Sequence, residues 1–337
     1  MSVTVIIKKV FSLLASLKNP YFFLYRLCHY LNKDVPYGIA TYIYKNNKKE
    51  YRKCDAFDYL IDTYDGSGQA VHPDIVFYRN RYWLTVTPYP YGMEEYENPC
   101  IYQGDDLYHL ITPKGPIVVQ HKHTQGVHLS DPCFAVSRDE LFCYYRESER
   151  KGDIEEHKIW SLQYSSSENN WHNPTLLLDS EDDKILSPAM LFDEDGSLIM
   201  FYVSSLNEKY NLVSMKVGSG KHINEYRIDG LPSDYYLWHI GISKENDIYS
   251  GGKNTKGLIG LFLMKSKLKK GHMKLFKTRN DGVGFTWHVI KEVEMPDIIK
   301  GIIQFPYKSC FIPKSEGKIL FSFRDKKSRN RMCIINE

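Results

Sequence analysis

The chain lacks a charge excess of one sign, a closely spaced cysteine pair, a glycine-rich nucleotide loop and a long apolar run. Each absence removes a class of function. Across 337 residues 44 basic side chains stand against 41 acidic ones, a net charge of +3. No Lys/Arg stripe alternates with aromatics, so no nucleic-acid partner is expected. The seven cysteines, at positions 28, 54, 100, 133, 143, 310 and 333, include no CxxC. An odd count without framework spacing fits small buried thiols in a reducing, cytoplasmic setting better than a disulfide scaffold. No Walker or dinucleotide-binding signature is present, and no cofactor is expected. No stretch reaches the roughly 18 uninterrupted apolar residues of a membrane span. The apolar run from Val3 to Leu17 is broken by Lys8 and Lys9 and closed by Lys18, with no small-x-small cleavage site after it, so it does not read as a secretory signal.

What is abundant is aromatic: 26 Tyr, 16 Phe and 5 Trp. That composition suits strands and also a sugar-contacting surface. The aromatics are distributed over a repeat. His72-Pro73-Asp74-Ile75-Val76-Phe77 returns as Ser130-Asp131-Pro132-Cys133-Phe134, as Leu186-Ser187-Pro188-Ala189-Met190, and without the proline as Trp238-His239-Ile240-Gly241-Ile242 and Tyr307-Lys308-Ser309-Cys310-Phe311. On the proline column the copies fall at 73, 132, 188, 240 and 309, spacings of 59, 56, 52 and 69 residues. After each comes a polar turn and an alternating second strand, for example Tyr82 to Thr87 after Asn80-Arg81. Periods of this size mark an array of supersecondary units, and five closing in a ring predict an all-β, five-bladed β-propeller. The domain reading is residues 1–70 as an N-terminal helical appendage and connector and 71–337 as the propeller. Residues 5–32 read either as a basic amphipathic helix lying on the inner membrane or as a helix packed outside the domain.

In such a ring the first strand of each unit lines the central channel, so matching positions meet around one axis. The position before the proline column holds His72, Asp131, Ser187, His239 and Lys308; the position after it holds Asp74, Cys133, Ala189, Gly241 and Cys310. Strand alternation predicts that His72 and Asp74 share a face. Ser187 and Lys308, taken singly, read as channel-lining groups. Asp74, Glu97 and Asp131 together with His72 and His239 read as a site, because several carboxylates and histidines in one channel have no packing purpose. His72, Asp74 and His239 also form a candidate metal set, but without diagnostic spacing, and no metal is assigned.

At Asp131-Pro132, with the repeat behind it, the chain resembles the clan of five-bladed propeller glycosidases. That clan contains the arabinofuranosidase/xylosidase and invertase/levansucrase families. The ordered set His72-Pro73-Asp74, Tyr89-Pro90, Tyr96-Glu97-Asn98-Pro99, Ser130-Asp131-Pro132, Cys143-Tyr144-Tyr145-Arg146-Glu147, Leu186-Ser187-Pro188-Ala189 and Trp238-His239 is similar to a propeller group found in bacterial and phage surface-polysaccharide contexts. The resemblance covers about residues 71 to 325. It implies three acids on the first strands of the first three units. Asp131 matches the second. At the first acid's position stands His72, with Asp74 two residues on, and at the third, the usual proton donor, stands Leu186.

The resulting expectation is a glycoside-hydrolase-like protein acting on a bacterial capsule or O-antigen polysaccharide or its precursor. Asp74, Glu97 and Asp131 are its acidic set, with Asp74 and Glu97 as the working pair, whose separation would decide between retention and inversion. His72, Tyr89, Arg146, Ser187, Trp238, His239 and Lys308 are the substrate-binding candidates, Arg146 as a clamp for an acidic sugar. The rival expectations are a non-catalytic glycan-binding or assembly module at the inner membrane, favoured by Leu186, and, more weakly, a glycan-modifying transferase.

Overall fold

The computed structural model describes residues 58–337 apart from 66, 108–109, 111–116, 119–126, 152–153, 181–183, 206–208, 219–222, 250–256, 270 and 283. The helices expected over residues 5–32, and most of the connector, lie outside the described residues.

The first sheet runs β1 (Ala70–Tyr78), β2 (Arg81–Pro88), β3 (Cys100–Gly104) and β4 (Ile117–Val118) in that order. A two-residue turn joins β1 to β2. Arg79 and Asn80 both have positive φ, 49° and 61°, and Tyr78 pairs Arg81. This is the primed-turn geometry that matches strand twist, one residue earlier than the expected Asn80-Arg81. The second sheet contains β5 (Val127–Ser137), β6 (Glu140–Lys151) and β7 (Ile154–Ser165), with β8 (Asn170–Trp171) and β9 (Thr175–Ser180) both pairing β7.

Two further antiparallel runs follow. They are β10 (Ile185–Phe192), β11 (Leu198–Ser204), β12 (Asn211–Lys216) and β13 (Ile223–Asp229), then β14 (Tyr235–Lys244), β15 (Leu258–Ser266), β16 (Met273–Asn280) and β17 (Thr286–Glu292). A parallel pairing of β13 with β17 fuses these two runs into one eight-stranded sheet. In the last sheet β20 (Ile319–Asp325) pairs β21 (Asn330–Ile335) on one edge. Its other edge pairs β18 (Ile303–Pro306) and then β19 (Cys310–Phe311). Hydrogen bonding therefore delimits four sheets among the described residues. Two four-residue helices, α1 (Glu245–Ile248) and α2 (Asp297–Lys300), decorate the connections.

Both faces of most sheets are buried, and alternation decides what each strand residue touches. On β2, Trp83 packs with Tyr78 of β1 and with Phe134, Leu141 and Leu162 of the second sheet. Leu84 and Val86, on the opposite face, pack with Cys310, Leu320 and Met332 of the last sheet. Similar clusters lie between β5–β7 and β10–β12, between β10–β12 and β14–β17, and between β14–β17 and β19–β21. The innermost strands close on themselves: β1 lies against β5, β5 against β10, β10 against β14, β14 against β19, and β19 against β1.

The chain entering the ring also fastens its end. Asp58 bridges Cys333, the Tyr59 amide donates to Met332 O at 2.8 Å, and Asp58 pairs with Arg331. The Gln69 side-chain oxygen accepts from both Tyr91 N and Asn330 N at 3.0 Å, tying the first sheet to the last. The five described cysteines, Cys100, Cys133, Cys143, Cys310 and Cys333, are free and buried. Burial pushes the thiols of Cys100, Cys133 and Cys333 up to about 12, so they are packing groups. Among the described residues no helix is long and apolar enough to cross a membrane.

Candidate functional site

The site is built on three strained bulges. Pairing shifts register between Val71 and Asp74 on β1, between Ser130 and Cys133 on β5, and between Leu186 and Ala189 on β10. Inside each bulge the residue before the proline is left-handed: His72 at φ 54°, Asp131 at 51° and Ser187 at 50°. A non-glycine residue pays roughly 1–3 kcal/mol for such a conformation, and a following proline disfavours it further. A bulge also re-aims the side chain it carries. β14 has a register shift between Leu237 and His239 without a proline, and the last sheet breaks its pairing between β18 and β19, at Tyr307-Lys308-Ser309. The irregularity thus recurs in every innermost strand.

These bulges overturn the expectation that His72 and Asp74 share a face. The extra residue breaks the two-residue alternation. His72 Nδ1 lies 3.3 Å from Asp131 Oδ1, and His239 Nδ1 lies 3.7 Å from the same oxygen. Asp74 instead accepts from Phe134 N at 2.6 Å and lines a cavity of about 280 Å³ with Phe77, Val136, Ile242, Lys244 and Asp247. Phe77, Val136, Ile242 and Lys244 lie beyond the bulges of their strands, and Asp247 is on α1. The expected histidine and carboxylate cluster forms, but around Asp131 and not around Asp74.

Asp131 is wholly buried, with 0% of its surface exposed; His72 keeps 5% and His239 8%. Arg146 Nη2 stands 3.1 Å from Asp131 Oδ2 and donates to Ser130 Oγ at 2.9 Å; its Nη1 reaches Ile185 O at 3.4 Å and His157 Nδ1 at 3.3 Å. Burial alone would raise the Asp131 carboxyl. His72 when protonated, Arg146, His239 and Lys308 outweigh it and hold the group well below the usual carboxylate range. For His72, burial together with Lys308 and Arg146 outweighs the attraction of Asp131 and lowers the imidazole to about 4; His239 is lowered well below its ordinary value by burial first. At neutral pH the arrangement is an ionised carboxylate facing two neutral imidazoles.

Glu97 is the contrasting acid. It follows a 3-10 turn, Glu94–Tyr96, and is 7% exposed, with Oε2 3.7 Å from His128 Nε2. Burial first, then Glu94, with smaller contributions from Asp131 and Glu155, raises its carboxyl well above the ordinary value against the opposing pull of Arg146. The groups that set Asp74 are different. Burial raises it to about 6, opposed by Lys308 and the amides of Phe134 and Ile75. Glu97 and Asp131 therefore both feel Arg146, whereas Arg146 is not among the groups that set Asp74.

Of the remaining candidates, Ser187 Oγ both accepts from Ile240 N and donates to Ile240 O at 3.0 Å, so it stitches β10 to β14. The Lys308 ammonium is 2% exposed and reaches Pro132 O at 3.4 Å and Pro188 O at 3.3 Å, spanning the bulges. Arg146 is engaged by protein groups on every arm reported above. Tyr89 and Trp238 are half-buried. Tyr89 meets Tyr307 edge-on at 6.2 Å, and Tyr307 meets His72 at 5.8 Å. Trp238 meets Tyr210 at 5.7 Å and Tyr236 at 6.3 Å, and Lys265 Nζ lies 4.1 Å above its ring. Leu186 is buried among Phe201, Leu237 and Ile240, so β10 offers no carboxylate there.

Sequence reasoning missed His128, His157 and Tyr307. His128 had a signal, two residues before Ser130 on the same strand. His157 had none, because its place beside Arg146 depends on where β7 is paired.

Several solved structures share this architecture. The chain superposes on a Bombyx mori GH32 beta-fructofuranosidase with a TM-score of 0.58 at 12% identity, covering 87% of this chain and 64% of that one. It matches an endo-arabinase from Bacteroides thetaiotaomicron with a TM-score of 0.53 at 11% identity, covering 84% and 98%. A GH43 endo-arabinanase from Bacillus licheniformis gives 0.51 at 12%, covering 79% and 93%. The fold is similar to that of GH32 and GH43 glycosidases. At these identities the likeness speaks for the fold alone, and this chain spans less than two thirds of the Bombyx mori protein. No protein-family profile matches the chain, and no curated protein matches it in sequence.

Proposed function

We propose that the protein is a five-bladed propeller, residues 71–337, that hydrolyses a glycosidic bond in a bacterial surface polysaccharide or its precursor at the mouth of the channel. The observation that carries this reading is a buried Glu97 whose carboxyl is raised well above its ordinary value, set against a buried Asp131 held low beside Arg146. Two carboxyl groups pushed in opposite directions by their surroundings are what acid and stabilising roles require. Glu97 donates a proton to the leaving oxygen, in place of the acid that Leu186 does not supply. Asp131 orients the attacking water, whose proton passes to the neutral imidazole of His72 beside it, and balances positive charge developing at the sugar. The half-buried rings of Tyr89, Tyr307 and Trp238 support sugar stacking. Asp74, beyond the bulge, is given no part in bond cleavage. The basic, aromatic pattern of residues 5–32 supports a cytoplasmic protein resting on the inner membrane.

The test is product analysis with purified wild type beside Glu97→Gln on a panel of capsule and O-antigen polysaccharides. New reducing ends are expected from wild type, with the variant slower by about 10²–10⁴-fold, the usual contribution of a general acid. Equal rates would remove Glu97 from the chemistry. Burial of Leu186 in apolar packing favours one alternative, a glycan-binding module, for which binding without any product is the diagnostic result.

A further inference from the structure

We propose that His72, Asp131 and His239 form a binding site for one divalent transition-metal ion, of the zinc, cobalt or nickel type. Among the described residues they are the group whose ligand atoms converge for this purpose, all lying within 4.8 Å of one another. Each comes from a different innermost strand. Imidazole nitrogen sits about 2.0–2.1 Å from such an ion and carboxylate oxygen about 2.0–2.2 Å, which puts neighbouring ligand atoms about 3.0–3.5 Å apart. The two histidine-to-Asp131 separations, 3.3 and 3.7 Å, fall at or just beyond that range, and the two imidazole centroids are 4.9 Å apart.

A second, independent observation points the same way. Both ring nitrogens of His72, Oδ1 of Asp131 and Nδ1 of His239 are buried without a protein hydrogen bond. Buried polar groups in folded proteins are normally hydrogen-bonded, and these exceptions are gathered in one place. The strain of the two bulges holds His72 and Asp131 toward this point. Arg146 stands on Oδ2 of Asp131, leaving Oδ1 for the histidine side, which is the outer support a monodentate carboxylate ligand needs.

The choice of metal follows from the donors and from charge. Arg146 and Lys308 stand close to the cluster, so an ion held by charge alone is disfavoured. Two imidazoles and one carboxylate oxygen suit a metal bound through nitrogen, whereas calcium and magnesium need six or more oxygens. The site shares His72, Asp131 and His239 with the proposed hydrolytic centre, but it is argued from their convergence and not from any bond cleaved there.

The experiment uses the full chain, freed of any affinity tag and stripped with chelator. It is titrated with Co²⁺ under visible absorption, then with Zn²⁺, and metal content is measured on the same samples. One saturable equivalent per chain is expected, with a nitrogen-ligated cobalt spectrum that Zn²⁺ displaces and that is lost in His239→Gln. His239 is the arm to vary because its backbone is not left-handed, so that variant keeps the strained bulges intact; circular dichroism checks its fold. No saturable binding by wild type overturns the proposal. So does one equivalent that persists in His239→Gln, or selective uptake of Ca²⁺ over Co²⁺ and Zn²⁺. Polysaccharide turnover is scored separately, so loss of the glycosidase reading and loss of the metal site give different results.

Discussion

His72→Asn and Asp74→Asn are expected to tilt the pH dependence of stability in opposite directions, although the two residues are neighbours in sequence. His72 is neutral in the folded protein down to about pH 4, while the unfolded chain takes up its proton below about 6.5. Between those values the unfolded state binds more protons, so stability rises with pH; this contribution is complete above 6.5 and is lost as the pH falls toward 4. Asp74 has the opposite sign. Its folded carboxyl keeps a proton up to about 6 and the unfolded one only to 3.8, so its contribution is present in acid and lost as the pH rises through that window. At about 1.4 kcal/mol per unit, and between pH 7 and about pH 4.5, His72 removes about 2.5 kcal/mol and Asp74 restores about 2 kcal/mol. The wild type hides both terms because they nearly cancel.

Urea unfolding of wild type and each variant at the two pH values separates them. Asparagine suits both tests, since it tolerates the left-handed backbone at position 72 and is isosteric with Asp74. His72→Asn is expected to lose less stability in acid than wild type, and Asp74→Asn more. Parallel pH profiles for the two variants would refute the separation of these side chains onto opposite sides of the bulge.

Arg146→Met leaves Asp131 buried without its guanidinium and is expected to cost about 3–5 kcal/mol. Adding Asp131→Asn should recover part of that loss, and additive costs in a double-mutant cycle would deny the coupling. Gly241→Ala places a methyl group against the Ser309 carbonyl where β14 meets the last sheet, and should cost about 1–3 kcal/mol in thermal or urea unfolding. Gly301→Ala, where nothing lies within 4 Å, is the control and should be neutral or slightly stabilising.

The repeat made the strand order legible because each copy combines the same three local signals: an apolar first strand, a polar turn and an alternating second strand. Trp83 with Leu84, or Cys143 with Tyr144, could be assigned to opposite faces from alternation alone, and their clusters are as that predicts. The bulges were not legible. Counted from the turn at Ser137–Glu140, an unbroken hairpin would set Asp131 opposite Arg146; the inserted residue puts Ser130 there instead. The same insertion on β1 separates His72 from Asp74. A proline in the middle of a strand was the available signal, since it cannot donate to the ladder and is confined to edges and bulges. The parallel join of β13 to β17, which leaves four sheets, had no local signature because it depends on two edges brought together by the ring.

Strain and dissatisfaction coincide in this molecule, and that coincidence argues against a merely structural channel. A fold stabilised by its apolar clusters has no need to hold His72, Asp131 and Ser187 in left-handed conformations before prolines. Ser187 has an account, because its hydroxyl joins two strands through both groups of Ile240. His72 and Asp131 have no such account: both ring nitrogens of His72 and Oδ1 of Asp131 are among the buried polar atoms left without hydrogen bonds. Backbone strain and buried polar atoms without hydrogen bonds, gathered at one point, are what the proposed ligand site would account for. The inner strands thus differ: Ser187 on β10 is joined to β14 through Ile240, while His72 on β1, Asp131 on β5 and His239 on β14 hold the converging atoms that the proposed ligand would satisfy.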